Sequence, residues 1–142
     1  MPAINAASVL SLDVGAQRIG VARASVIAKI ASPLTTVIND AQVMETIANL
    51  IKQEDAGILV VGLPRNLQSQ ETAQTRTVQE FIRTLQQHIA IPVYFQDEAL
   101  TSNKAEAELD ARRKPYTKGD IDALAATYIL DDFLQEQGSS LL

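Results

Sequence analysis

Four carboxylates stand where a folded core has little use for charge. Asp13 ends the apolar run SVLSLDV (8–14), just before Gly15. Asp97 and Glu98 follow the apolar run VYFQ (93–96), and Asp122 sits inside the apolar-periodic stretch GDIDALAATYILDDF (119–133). An unpaired carboxylate in a core is costly, so each needs a partner, a cation or a place in water. Each also has an ordinary structural explanation. Asp is common before Gly turns, which suits Asp13. A solvated loop edge would accommodate Asp97 and Glu98. If the strand continues through them they face opposite sides, and Glu98 shares the parity of Tyr94 and Gln96. Asp122 is harder to explain in this way. At about 100° per residue, Ile121, Leu124, Ala125, Tyr128, Ile129 and Phe133 form one apolar helix face. Asp122 falls between Ile129 and Phe133 on that arc, so it points at a sheet rather than at water. The small residues Ala125 and Ala126 would let the helix approach closely. A solvated face accounts for Asp120, Asp131 and Asp132, but not for Asp122.

Asp13, Glu98 and Asp122 are therefore the candidate catalytic and metal-binding residues. Clustered carboxylates suit Mg²⁺ or Mn²⁺, which prefer oxygen ligands. Two such ions about 4 Å apart can activate water and stabilise the leaving oxygen of a phosphodiester. Other chemistries lack their parts. There is no cysteine, which removes disulfides and thiolate metal sites. The one histidine, His88, is placed at a helix end, as a capping or surface residue would be. Substrate contact has its own candidates. Arg112, Arg113, Lys114 and Lys118 are four of the twelve basic residues and fall within seven positions, with Tyr116 among them. Such a segment can bind backbone phosphates and stack on a base, or it is a solvated loop. The net charge of −5 and pI of about 4.8 argue against indiscriminate nucleic-acid binding, although bound cations would reverse the sign of an acidic site locally.

The elements that must position these residues alternate in period. With 142 residues and 46% hydrophobic composition, the chain fits one domain, 1–142, with loose ends at 1–7 and 138–142. Strands are expected at 8–14, 18–25 and 33–38, with a turn at Gly15-Ala16-Gln17. Asp40 should cap a helix that buries Val43, Ile47 and Ile51. The run ILVVGL (58–63) reads as a strand buried on both faces. A polar loop at 65–70 leads to a helix over about 72–88, with Val78, Phe81, Ile82 and Leu85 on its stripe. A strand at 93–96, a helix at about 102–112, the basic loop and a last helix at about 119–136 complete the order. An antiparallel three-strand meander followed by right-handed crossovers gives an α/β fold, a five-stranded mixed sheet with helices on both faces. No run approaches the roughly 18 apolar residues of a membrane span, and the start lacks a signal peptide's basic region. A cytoplasmic location without membrane contact is the expectation.

The motifs LSLDVGAQRIGVA (10–22), ILVVGLPRN (58–66), QDEALTS (96–102) and KGDIDALAATYIL (118–130) together resemble the YqgF or RuvX family. Each motif is weak alone. The four in order, with the helices between them, cover almost the whole chain. The resemblance implies a ribonuclease H-like fold and a nuclease dependent on Mg²⁺ or Mn²⁺, with two ions. It implies that Asp13, Glu98 and Asp122 are the acidic active-site positions, and that Arg18 and Lys118 contact phosphate. The family is associated with maturing the 5′ end of precursor 16S ribosomal RNA, and with resolving Holliday junctions. The partners implied are precursor ribosomal RNA or branched DNA, the ribosome, and a second copy of the chain if it resolves junctions, or none if it works as a monomer. Two positions depart from the family pattern. Gln68-Ser69 replaces an Asp-Gly turn, and Ala99 replaces the arginine that usually follows the Asp-Glu pair.

Two other classes compete. Asp-x-Gly before a hairpin also occurs in actin-like ATPases, which pair two such units around a cleft; this chain has one unit, and tight ATP binding would mark that class. A nonenzymatic RNA- or ribosome-associated module would fit the acidic pI and Ala99. It would bind RNA without metal and cut nothing.

Overall fold

The computed structural model describes residues 5–64, 70–98 and 101–138, with the backbone alone at 101–103. The strands are β1 (Ser8–Val14), β2 (Arg18–Ser25), β3 (Ala31–Ile38), β4 (Ala56–Pro64) and β5 (Val93–Glu98). The helices are α1 (Val43–Gln53), α2 (Ala73–Leu85), α3 (Thr101–Ala111) and α4 (Lys118–Gln137). The sheet order is β3-β2-β1-β4-β5. β2 pairs antiparallel with β1 and β3, whereas β4 is parallel to β1 and to β5. This is the expected mixed sheet, and its helices lie on both faces.

Alternation along the strands divides the core. Leu10, Leu12, Ile19, Val21, Leu59 and Val61 face α1 and α2, whose buried stripes are Val43, Ile47 and Ile51, and Val78, Ile82 and Leu85. Val9, Ala22, Ala24, Ile58 and Val60 face α4. Because β1 and β4 are buried on both sides, their sequences are apolar throughout.

Helix α4 crosses all five strands. Thr36 Oγ1 on β3 donates to the Gly119 carbonyl at 2.7 Å, and Gly20 on β2 lies against the backbone of Asp122. Ser11 Oγ on β1 donates to the Ala126 carbonyl at 2.7 Å. Ile129 packs on Gly62 of β4, and the Phe133 ring lies 6.0 Å from that of Tyr94 on β5. The contacting residues recur every three or four positions. That is about 5 Å of helix rise, close to the roughly 4.8 Å between strands, so each turn meets a new strand. Two glycines make the approach possible. A Cβ at Gly20 would lie 1.9 Å from the Asp122 carbonyl oxygen, and one at Gly62 would lie 2.3 Å from Ile129 Cδ1.

The sheet-facing row of α4 is thus Asp122, Ala126, Ile129 and Phe133. The broader stripe read from the sequence is in fact two faces. Leu124 and Ala125 are covered by Ala105 and Leu109 of α3, with Ile121 and Tyr128 beside them. Burial from two sides makes α4 apolar nearly all round, which blurs a one-face periodicity.

Three local expectations need correction. Asp40 does not cap α1; the N-cap is Gln42, without a side-chain bond, and Asp40 Oδ1 accepts the Gln42 N–H at 3.0 Å one turn earlier. β5 runs to Glu98, so the Asp-Glu pair closes the strand rather than following it. Ala7 is tied down: its N–H reaches the Asp55 carbonyl at 3.0 Å and its carbonyl accepts from Val26. The departures at Gln68-Ser69 and Ala99 lie outside the described residues.

Candidate active site

Asp13 is the penultimate residue of β1 and pairs with Gly20 across the hairpin. It shares the parity of Val9 and Ser11, so it faces α4. Because Gly20 has no side chain, the first turn of α4 settles directly on β2 beside Asp13 and brings Asp122 there. Asp13 is largely buried. Burial, and then the negative charge of Asp122, push its pKa from 3.8 to about 6.

Arg18 begins β2 and shares the parity of Gly20. Its Nε donates to Asp122 Oδ2 at 2.7 Å, with the two side chains 30% and 18% exposed. This charge-assisted bond fixes the Asp122 carboxylate. The phosphate contact inferred for Arg18 from family resemblance therefore starts from a guanidinium already bound through one nitrogen.

Glu98 ends β5 on the α4 side, with Tyr94 and Gln96, as its parity requires. Asp97 points the other way and is exposed. Glu98 does not reach the other two carboxylates. β4 lies between β1 and β5, which puts the strands about 10 Å apart, and Glu98 is engaged on the C-terminal half of α4. Its pKa is raised to about 8, chiefly by burial, then by a hydrogen bond and like charge from Asp132, with Glu136 adding and Lys104 opposing. Its Oε1 is buried with no hydrogen-bond partner. Among the described residues, no three His, Cys, Asp or Glu side chains are grouped closely enough to hold a metal ion. Two of the three predicted carboxylates, Asp13 and Asp122, are together; the third, Glu98, meets Asp132 instead.

Asp132, expected on a solvated helix face, is only partly exposed and meets Glu98. Helix periodicity does not say which strand lies beneath a given turn. The C-terminal half of α4 lies over β5, with Phe133 on Tyr94 and Asp132 against Glu98. Asp120 has a structural role, since its carboxylate accepts the Thr117 N–H at 2.8 Å in a capping box.

The basic segment divides. Arg112 bridges to Glu108 at 2.7 Å, and the Tyr116 hydroxyl donates to Asp110. Tyr116 also packs on the cluster of Leu109 and Leu124. Arg113, Lys114 and Lys118 are exposed, and Arg113 turns the chain with φ of 55°. His88 is exposed just beyond α2 and its N–H bonds to the Leu85 carbonyl. No helix among the described residues is long and apolar enough to cross a membrane.

A family model described as "RuvX: Holliday junction resolvase" matches residues 7–136. A protein of Sulfurihydrogenibium sp. is 40% identical over 128 residues, spanning 89% of this chain and 88% of that one. One of Crocosphaera subtropica is 37% identical over 139 residues, spanning 95% and 97%. A third, of Roseiflexus sp., is 40% identical over 133 residues, spanning 91% and 94%. All three carry the name "putative pre-16S rRNA nuclease". Among solved structures, T. thermophilus RuvC in complex with a Holliday junction substrate aligns with a TM-score of 0.54 at 16% identity, over 93% of this chain and 96% of that one. The fowlpox virus Holliday junction resolvase aligns at 0.53 and 15%, over 94% and 99%. At such identities these structures establish the fold, which is ribonuclease H-like. The match of the family model over nearly the whole chain, together with relatives near 40% identity, shows that this chain belongs to the RuvX family.

Proposed function

We propose that this chain is a divalent-metal-dependent nuclease that matures the 5′ end of precursor 16S ribosomal RNA in the cytoplasm. The full-length relatives named for that activity support the substrate. The observation that carries the chemistry is the Asp13–Asp122 pair. Burial and like charge both raise the pKa of Asp13, and a bound divalent cation would offset both effects. The orphaned Oε1 of Glu98 is a third oxygen in want of a partner. Hard oxygen donors of this kind fit Mg²⁺ or Mn²⁺, and Asp13, Asp122 and Glu98 would hold the ions. The metal would supply charge stabilisation at the phosphoryl oxygens and an activated water.

The chain's own residues do the rest. Arg18 orients Asp122. Lys114, Arg113 and Lys118 bind backbone phosphates, with Arg112 and Tyr116 held in place by α3. Glu98 leaves Asp132 to join the other two carboxylates. The 142 residues work as one domain.

The test is cleavage of a labelled precursor 16S fragment and a four-way DNA junction in parallel, with Mn²⁺ and with chelator. Cutting of the RNA alone, abolished by Asp122→Asn, is expected. Cutting of the junction alone would make the chain a resolvase, the reading that the family description favours. A resolvase should act as a dimer, because it cuts symmetry-related strands. No cutting of either, with metal-independent RNA binding, would make it a binding module.

A further inference from the structure

Two clefts meet on the outer edge of the sheet, beside the first turn of α4. One holds ≈ 250 Å³ between the α3–α4 loop and β3. Its walls are apolar, from Pro33, Leu109, Pro115 and Leu124, with the Tyr116 ring among them, and Arg112 and Lys114 stand at its rim. The other holds ≈ 340 Å³ and is rich in hydroxyls, from Thr35, Thr36 and Thr117. Pro33, Asp120 and Ala123 line both, so the clefts form one groove across β3.

The groove has the character of a nucleotide site. The apolar end is smaller than a pocket for a drug-sized ligand, about 300–1,000 Å³, and suits one flat heterocycle. Its aromatic wall is oriented by packing on Leu109 and Leu124 and by the bond from the Tyr116 hydroxyl to Asp110. The charge fits an anion at the rim. Lys114 is exposed, and Lys118 adjoins Thr117 and Gly119, which line the hydroxyl-rich end. Arg112 contributes less, since Glu108 partly neutralises it. The one acid in the lining, Asp120, is committed to the helix cap.

We propose that this groove binds an unpaired nucleotide, with the base in the apolar end and its phosphate at Lys114 and Lys118. A base still stacked in a duplex cannot enter such a cleft. Ala123 lines the groove from the same helical turn that carries Asp122, although the two side chains leave the helix in different directions. The substrate class that fits is nucleic acid with an unpaired nucleotide. This rests on the nuclease reading for its purpose, but it is tested by binding alone.

The experiment uses the whole chain carrying Asp13→Asn, in chelator so that no cleavage intervenes. The probe is an oligonucleotide with 2-aminopurine at one position, as RNA and as DNA, either single-stranded or paired with its complement. The single strand is expected to bind roughly ten-fold tighter than the duplex, with a change in 2-aminopurine fluorescence. Adding Ala123→Leu fills the apolar end and should abolish both the preference and the fluorescence change, while melting reports whether the fold is kept. Lys114→Glu, at an exposed position, is the second variant and should weaken single-strand binding several-fold. Equal affinity for single strand and duplex, or binding unmoved by both variants, would overturn the groove even if the wild-type chain cuts precursor RNA. A single-strand preference lost in the variants would uphold it even if no substrate is cut.

Discussion

Replacing Asp13 with asparagine should make the metal-free protein more stable while removing its activity. Burial, and then the charge of Asp122, raise the Asp13 carboxyl from 3.8 to about 6. Between those values the folded chain holds a proton that the unfolded chain has released. Stability therefore falls as pH rises through that window and stays lower above it. The gap corresponds to about 3 kcal/mol. Asparagine carries no charge and loses nothing with pH. In a chain of this size each kcal/mol moves Tm by about 2–4 °C, so Asp13→Asn should raise Tm by roughly 6–12 °C at about pH 7.5 in chelator. At about pH 4 the two proteins should melt within a few degrees of each other. Mn²⁺ should raise the Tm of the wild type and close the gap, since it binds the folded carboxylates alone. Melts followed by calorimetry at the two pH values measure this directly. A destabilised Asp13→Asn at neutral pH, or a Tm difference that does not change with pH, would refute the burial argument.

Gly20→Ala places a methyl group where the Asp122 carbonyl oxygen is 1.9 Å away; it should lift α4 from the sheet, cost about 1–3 kcal/mol or more, and reduce cleavage, as melting and a cleavage assay would show. Arg18→Gln leaves Asp122 partly buried without its cation. In chelator it should lower stability by about 1 kcal/mol, a figure discounted for the exposure of the pair, and Mn²⁺ should recover the loss. Asp132→Asn removes the like charge that helps raise Glu98 to about 8. In the wild type that raised value makes stability fall as pH climbs from about 4.5 to about 8; the variant should narrow the window from its upper end, seen as a flatter Tm between pH values of about 6 and 8.

Much of this architecture could be read from the chain, because local pattern and tertiary placement agree there. The buried strands β1 and β4 are apolar on both faces, and α1 and α2 carry single stripes. Parity along β5 puts Glu98 on the side of Tyr94 and Gln96, as the structure has it; the apolar run of β1 gives no face for Asp13. Asp122 was legible for a related reason: one acid on a row of sheet-facing residues stands out. Other features depend on what packs against what. The stripe of α4 was read as one face because α3 covers the other, and no periodicity reveals a second neighbour. The pairing of Arg18 with Asp122 spans 104 residues. The turning of Glu98 toward Asp132 depends on which strand lies under the last turns of α4. The groove at β3 arises from the meeting of Pro33 with the α3–α4 loop, which neither segment announces alone.

In the proposed nuclease, Asp13, Asp122 and Glu98 act together through a divalent ion. Single-turnover cleavage of a labelled precursor 16S fragment, across a Mn²⁺ titration, by the wild type and by Asp13→Asn, Asp122→Asn and Glu98→Gln tests it most directly. Metal-dependent cutting by the wild type, lost in each of the three variants, is expected. Cutting that persists in chelator, or that survives Glu98→Gln unchanged, would contradict it.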